Sequence, residues 1–252
     1  MLTGAILLAA FLAAGHLSNR RSMMKSFPIT LGTLLSLSLL ALGSLSPAGE
    51  EKSKEEKPKE ETKFYPIDLQ PLANQKLDDD FHGYVGNNLK PLPRDRQKFK
   101  GVIFTIGEKF VQLAGKRAPD FPEKIEGIPV NRKLTKLHFL HATGWGSVEN
   151  GTEIGHFEIR YDDDSSVVVP IEYGHDLRDW WDFDEDAETS RAVVAWRSVN
   201  EASANFRNMR IEIRLFLMTW TNVHPDKIVK SFDYVSKNET MCSPFLVAAS
   251  AE

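Results

Sequence analysis

Apolar and polar residues alternate with a period of two over most of this chain, the signature of half-buried β-strands. Phe157, Ile159 and Tyr161 interleave with His156, Glu158, Arg160 and Asp162. Met209, Ile211, Ile213, Leu215 and Leu217 interleave with Arg210, Glu212 and Arg214, and then Phe216, Met218 and Trp220 make both faces apolar. That second strand is expected to begin with one wet face and to end buried on both. Shorter runs at Val102–Ile106, Phe110–Leu113, Leu137–Leu140, Val167–Ile171, Ala192–Trp196, Ile228–Val235 and Phe245–Ala249 read the same way. Turn signals separate them, among them Gly144-Trp145-Gly146, Asn150-Gly151 and Asp162-Asp163-Asp164. No stretch beyond Phe64 keeps helical spacing with caps over three turns. The expectation is an all-β single domain over residues 64–252, a β-sandwich of about nine or ten strands with jelly-roll topology. Tyr65 to Lys98, polar and rich in Pro and Asn, reads as a short edge strand with loops that wrap the sandwich.

The first 48 residues have another character. They carry Arg20, Arg21 and Lys25, no acid, and two apolar runs. Met23-Met24-Lys25, the Leu/Ser-rich run Ile29 to Leu45 and Ser46-Pro47-Ala48 have the order of a secretory signal: basic start, apolar centre, small-residue cleavage site. A true start at Met23 or Met24 gives the conventional form. The competing reading is an uncleaved membrane anchor at 29–45, diluted by Gly, Ser and Thr. Glu50 to Lys63, with six Glu and five Lys, has no apolar face to bury and reads, with Gly49, as a solvated, disordered linker over 49–63. The chain is therefore expected to be exported, periplasmic or extracellular. Its single Cys242 suits a domain built without disulfides. The net charge of −4 becomes −7 once the three basic residues of the signal are removed. No basic footprint for nucleic acid remains.

The residues Gln97-Lys98-Phe99-Lys100-Gly101-Val102-Ile103-Phe104, Ile128-Pro129-Val130-Asn131-Arg132-Lys133, Leu137-His138-Phe139-Leu140-His141-Ala142-Thr143-Gly144-Trp145, Asp179-Trp180-Trp181, Ala195-Trp196 and Thr221-Asn222-Val223-His224-Pro225 together resemble a galactose-binding-like module. Such modules are β-sandwiches of exported bacterial proteins, similar to carbohydrate-binding modules and often set beside glycoside hydrolase domains. The resemblance spans roughly residues 65–250 and implies glycan binding or an interaction role; fold-level likeness alone does not assign function.

Candidate chemistry is sparse. Sugar rings offer C–H faces to indoles and hydroxyls to neighbouring polar groups, so loop tryptophans beside charged residues are the first candidates. Trp145 sits between glycines, and Trp180-Trp181 lies beside Arg178, Asp179 and Asp182; His175 and Asn222 are further candidates for hydroxyl contacts. If the Trp pair is extended, its side chains point to opposite faces, so one is core and the other half-exposed. Trp196 and Trp220, inside strands, read as core. His138 and His141 are three apart on one strand and point to opposite faces, which does not make a zinc pair. Asp182, Asp184 and Asp186 lack the Gly and Glu that an EF-hand requires. A structural Ca²⁺ remains the one cofactor admitted, with Asp78, Asp80, Asp182 and Asp184 as candidate ligands. No catalytic nucleophile motif is present. Glu158 and Asp162, on one strand face, are the nearest approach to a glycosidase pair. The favoured reading is a non-catalytic carbohydrate-binding module; the alternatives are a protein-interaction module of the cell envelope and a hydrolase.

Overall fold

The structure is a computed structural model that describes residues 62–146, 148–183 and 188–252. The signal segment, its alternative as an anchor and the linker up to Glu61 lie outside the described residues, as does Asp184. In chain order the strands are β1 (Tyr65–Ile67), β2 (Gln75–Lys76), β3 (Asp95–Phe99), β4 (Val102–Ile106), β5 (Lys109–Gln112), β6 (Lys124–Arg132) and β7 (Lys136–Gly144). They continue as β8 (Glu153–Tyr161), β9 (Ser166–Glu172), β10 (Trp181–Asp182), β11 (Val193–Ser198), β12 (Glu212–Thr221), β13 (Val229–Ser236) and β14 (Ser243–Ala251). A single helical turn, α1 (Glu201–Ala204), precedes β12.

One sheet runs β10-β12-β7-β14-β5-β2, with β1 added on β14 and β11 on β12; the other runs β6-β13-β8-β9. Every pairing in them is antiparallel. The chain passes from one sheet to the other at almost every step: β5, β7, β12 and β14 lie in the first, β6, β8, β9 and β13 in the second. That interleaving, with β14 between β5 and β7 and β13 between β6 and β8, is the jelly-roll order of two Greek keys. The fourteen described strands outnumber the nine or ten expected: β1, β2 and β10 are too short to leave an alternating pattern, β3 is mostly polar, and β6, interrupted by Gly127 and Pro129, buries only Ile128 and Val130.

Between the sheets lies an aromatic stack. Phe139 on β7 is face to face with Phe157 on β8 at 3.8 Å between ring centroids, and Phe157 stacks on Tyr234 of β13 at 4.9 Å. Phe232 meets both phenylalanines edge-on. The other face of the larger sheet is covered as well, by Phe81 and by the β3–β4 hairpin with its buried Phe104. This cover explains why all nine residues of β14 are buried. The wet start expected for β12 holds at Arg210 and Glu212, which are exposed while Ile211 and Ile213 are buried, but stops at Arg214, which is 2% exposed; the expected burial of both faces at its end fails, since Thr219 and Thr221 are exposed. Trp196 and Trp220 are only half-buried, packed against the edge of the core.

His138 and His141 point to opposite faces of β7. The His138 ring joins Thr219 (2.9 Å) and Glu252 (3.1 Å). His141 faces inward and donates from Nε2 to the Asp176 carbonyl at 3.1 Å. Burial pushes its pKa down to about 4.

Candidate functional site

The candidate site lies where β7 ends. Thr143 bridges in parallel to Asp179; Trp180 N–H donates to the Thr143 carbonyl (2.9 Å), and Thr143 N–H to that of Arg178 (3.3 Å). The segment 178–181 is thus laid beside the Gly144-Trp145-Gly146 turn by backbone pairing. Trp145 adopts a left-handed backbone, φ +58°, a conformation costly for a bulky residue and one that persists only where its surroundings enforce it. The two flanking glycines supply the enforcement. A Cβ on Gly144 would stand 2.5 Å from the His82 ring, and one on Gly146 would stand 2.2 Å from the Tyr173 hydroxyl. Asp179 straps the turn: its Oδ2 accepts the Gly146 N–H and its Oδ1 the Trp181 N–H, each at 3.0 Å.

These elements border a small cleft of about 110 Å³, open to solvent. On one side the Trp145 ring leans on His82, centroids 4.3 Å apart. On the other, Trp181 packs edge-on against Phe206 at 5.1 Å, with Tyr84 and Phe183 at 6.1 and 5.6 Å. Tyr84 and Phe183 form an exposed rim, 52% and 55% accessible. Trp181 Nε1 donates to Asn87 Oδ1 (2.9 Å), so the indole N–H is used inside the protein. Asn200 ties this wall together. It caps α1 through Ser203 N–H (2.8 Å) and donates to the Asn88 carbonyl (3.0 Å), holding the 81–88 loop against the turn that carries Phe206.

The electrostatics are simple. His82, half-buried, donates from Nε2 to Gln112 Oε1 at 3.3 Å; burial lowers its pKa to about 4 and keeps it neutral at pH 7. Burial raises the Asp179 carboxyl to about 6, against the pull of its two backbone donors. Among the described residues, Asp179 is then the one charged group that borders the cleft near neutral pH.

Of the residues singled out in the sequence, Trp145, Asp179, Trp180 and Trp181 come together here. The expected split of the Trp pair fails: Trp180 is 2% and Trp181 6% exposed. Trp180 stacks under Phe81 at 4.8 Å, and the second face that would have been open for Trp181 is covered by the 81–88 loop and Phe206. Trp145 alone keeps a half-exposed ring.

The other candidates are elsewhere. Asn222 is buried at the far end of β7, whose nine residues span roughly 30 Å. There its Oδ1 accepts from Tyr161 Oη (2.6 Å) and His224 N–H (2.9 Å), and its Nδ2 donates to the Leu134 carbonyl (3.0 Å), so it pins a turn instead of meeting a ligand. Arg178 lies over the Tyr173 ring and donates to the Glu188 carbonyl at 3.1 Å, and His175 pairs with Ser190; neither borders the cleft.

The calcium candidates are likewise engaged by protein. Asp78 pairs with Arg94 (2.5 Å), Asp80 accepts from Asn88 (2.8 Å), and Asp182 is buried between Arg214 and Arg197. Among the described residues no three His, Cys, Asp or Glu side chains are grouped to hold a metal ion. Glu158 is held by Arg160 at 3.0 Å on the outer face of the smaller sheet. Cys242 is buried, and burial pushes its thiol up to about 11, an unreactive state.

His82, Tyr84, Asn87, Phe183 and Phe206 were not anticipated. Phe81-His82-Gly83-Tyr84, an aromatic cluster around a glycine in a polar loop, was the available signal. No known protein family, curated protein or solved structure matches the chain.

The buried titratable groups make stability depend on pH. His141 is neutral in the fold with a pKa near 4, against about 6.5 when unfolded. Its contribution is complete above pH 6.5 and is lost as pH falls toward 4, about 3 kcal/mol in all. His82 shifts the same way over the same window; Asp179, raised to about 6, shifts the opposite way, and the two nearly cancel. Urea unfolding should therefore give a stability about 3 kcal/mol lower at pH 4.5 than at pH 7. A constant midpoint would mean that His141 titrates normally in the folded protein.

Proposed function

We propose that this protein is an exported, non-catalytic binding module whose ligand is a carbohydrate, taken in the cleft between Trp145 and Trp181. The strained, half-exposed Trp145 carries this reading. A bulky residue in a left-handed turn, locked by two glycines and strapped by a carboxylate, offers a rigid apolar face beside polar groups, as sugar rings require. The jelly-roll sandwich and the resemblance to galactose-binding-like modules support it. The signal-like segment and charged linker favour work in the envelope or outside the cell.

The test is a glycan array probed with the full chain and with Trp145→Ala. Trp145 is only half-buried, so its removal should spare the fold and weaken glycan binding at least about tenfold. Absence of binding to every glycan by the folded protein would refute the reading. That result would favour the second one, an envelope protein partner, for which the exposed Tyr84, Val85, Phe183 and Met209 near the cleft are the specific observation.

A further inference from the structure

We infer that the glycan taken by this cleft carries a free, protonated amine, as in an oligosaccharide of 2-amino-2-deoxyhexose units, and that Asp179 is the residue that recognises it. The inference rests on the carbohydrate reading above and adds the substrate class.

Asp179 has no ion-pair partner among the described residues. Arg214, the cation nearest to it in the fold, is committed to Asp182 at 2.5 Å and meets Asp179 only through the backbone, Nε donating to the carbonyl at 3.1 Å. The carboxylate instead accepts one backbone N–H on each oxygen, which leaves a further lone pair on each. Those two bonds fix its plane, so it is oriented before any ligand arrives.

A half-buried carboxylate without a counter-ion is held at a cost. A hydroxyl can share a hydrogen bond with it, but only a cation cancels its charge. The surroundings favour a cation twice over. The neighbouring ring, His82, is kept neutral and offers no competing positive charge. Trp145, Trp181, Tyr84 and Phe183 present ring faces and edges, and an ammonium next to an indole or phenol face is stabilised further. At long range, the acidic chain attracts a polycationic glycan. Among the described residues, the other titratable groups near Asp179 are Tyr173 and the thiol of Cys242, both kept protonated at neutral pH by burial.

Three tetrasaccharides with the same β-1,4 backbone separate the possibilities in calorimetry with the full chain: one of glucosamine, one of N-acetylglucosamine and one of glucose. The free-amine oligomer should bind at least tenfold more tightly than the other two at pH 7 and low salt. Asp179→Asn should bring the three within about twofold of one another. Because that variant also disturbs the strapped turn, the wild-type chain supplies an independent readout. With a carboxyl that titrates near pH 6, affinity for the amine should fall severalfold from pH 7 to pH 5, the loss of carboxylate outweighing the fuller protonation of the amine, and affinity for the glucose oligomer should stay constant. Equal binding of all three oligomers, lost in Trp145→Ala, would overturn this inference and leave the carbohydrate reading standing. Failure of all three to bind, with an empty glycan array, would overturn both.

Discussion

Asp182→Ala should destabilise the domain by about 3–5 kcal/mol, the usual cost of leaving one member of a buried ion pair without the other. Arg214 is the reason. It sits inside the end of the sandwich, bound to Asp182 at 2.5 Å, with its guanidinium over the Phe216 ring at 5.2 Å and its Nε on the Asp179 carbonyl. Burial already makes its protonated form harder to hold. Arg197, the second partner of Asp182, is more than a third exposed and retains Glu212 and water when Asp182 is gone; Arg214 has neither. The double variant Asp182→Leu, Arg214→Met removes both charges and should recover most of the loss, since apolar replacement of a buried pair is often neutral or better. Urea unfolding of the three variants reads this directly. A single variant within 1 kcal/mol of the parent would show that water reaches Arg214. The pair is also one residue from Trp181, so a loss of ligand binding in Asp182→Ala alone would reflect movement of the cleft wall.

Phe157→Ala should cost a comparable 3–5 kcal/mol, for a different reason. Phe157 stacks on Phe139 across the two sheets and on Tyr234 within its own, and it meets Phe232 edge-on. Its removal leaves a cavity lined by rings that cannot collapse, because each is anchored on a strand central to its sheet. For a domain of this size the loss corresponds to a drop in Tm of roughly 10 °C or more. A midpoint shift in urea with an unchanged slope would mark it as a loss of native packing. The exposed Val168, on the neighbouring edge strand, serves as the control: Val168→Ala should change stability by less than about 0.5 kcal/mol.

The two variants mark the boundary between what local pattern reveals and what it does not. Phe157 belongs to a strand whose apolar and polar residues alternate without a break from His156 to Asp162, so its burial was legible from the period alone. The same holds for the opposite faces of His138 and His141, which spacing on a strand requires. Arg214 stands in an equally regular alternation, on the polar side, yet it is buried. Periodicity reports the difference between two faces of a strand; it cannot report that a distant segment covers the polar one. The same holds for Trp181, whose second face is closed by residues 81–88 and by Phe206.

By itself, then, the sequence determined an all-β chain, the approximate place of its long strands except β6, the jelly-roll expectation and the loops that hold Trp145 and Asp179. These follow from period-two alternation and from turn residues, which act over a few positions. Only the tertiary structure decided that β5, β7, β12 and β14 share one sheet, that Asn222 lies a full strand length from Trp145, and that His82 and Tyr84 complete the cleft. Those facts depend on contacts between residues tens of positions apart, where the free energy resides in packing and desolvation that no local pattern encodes.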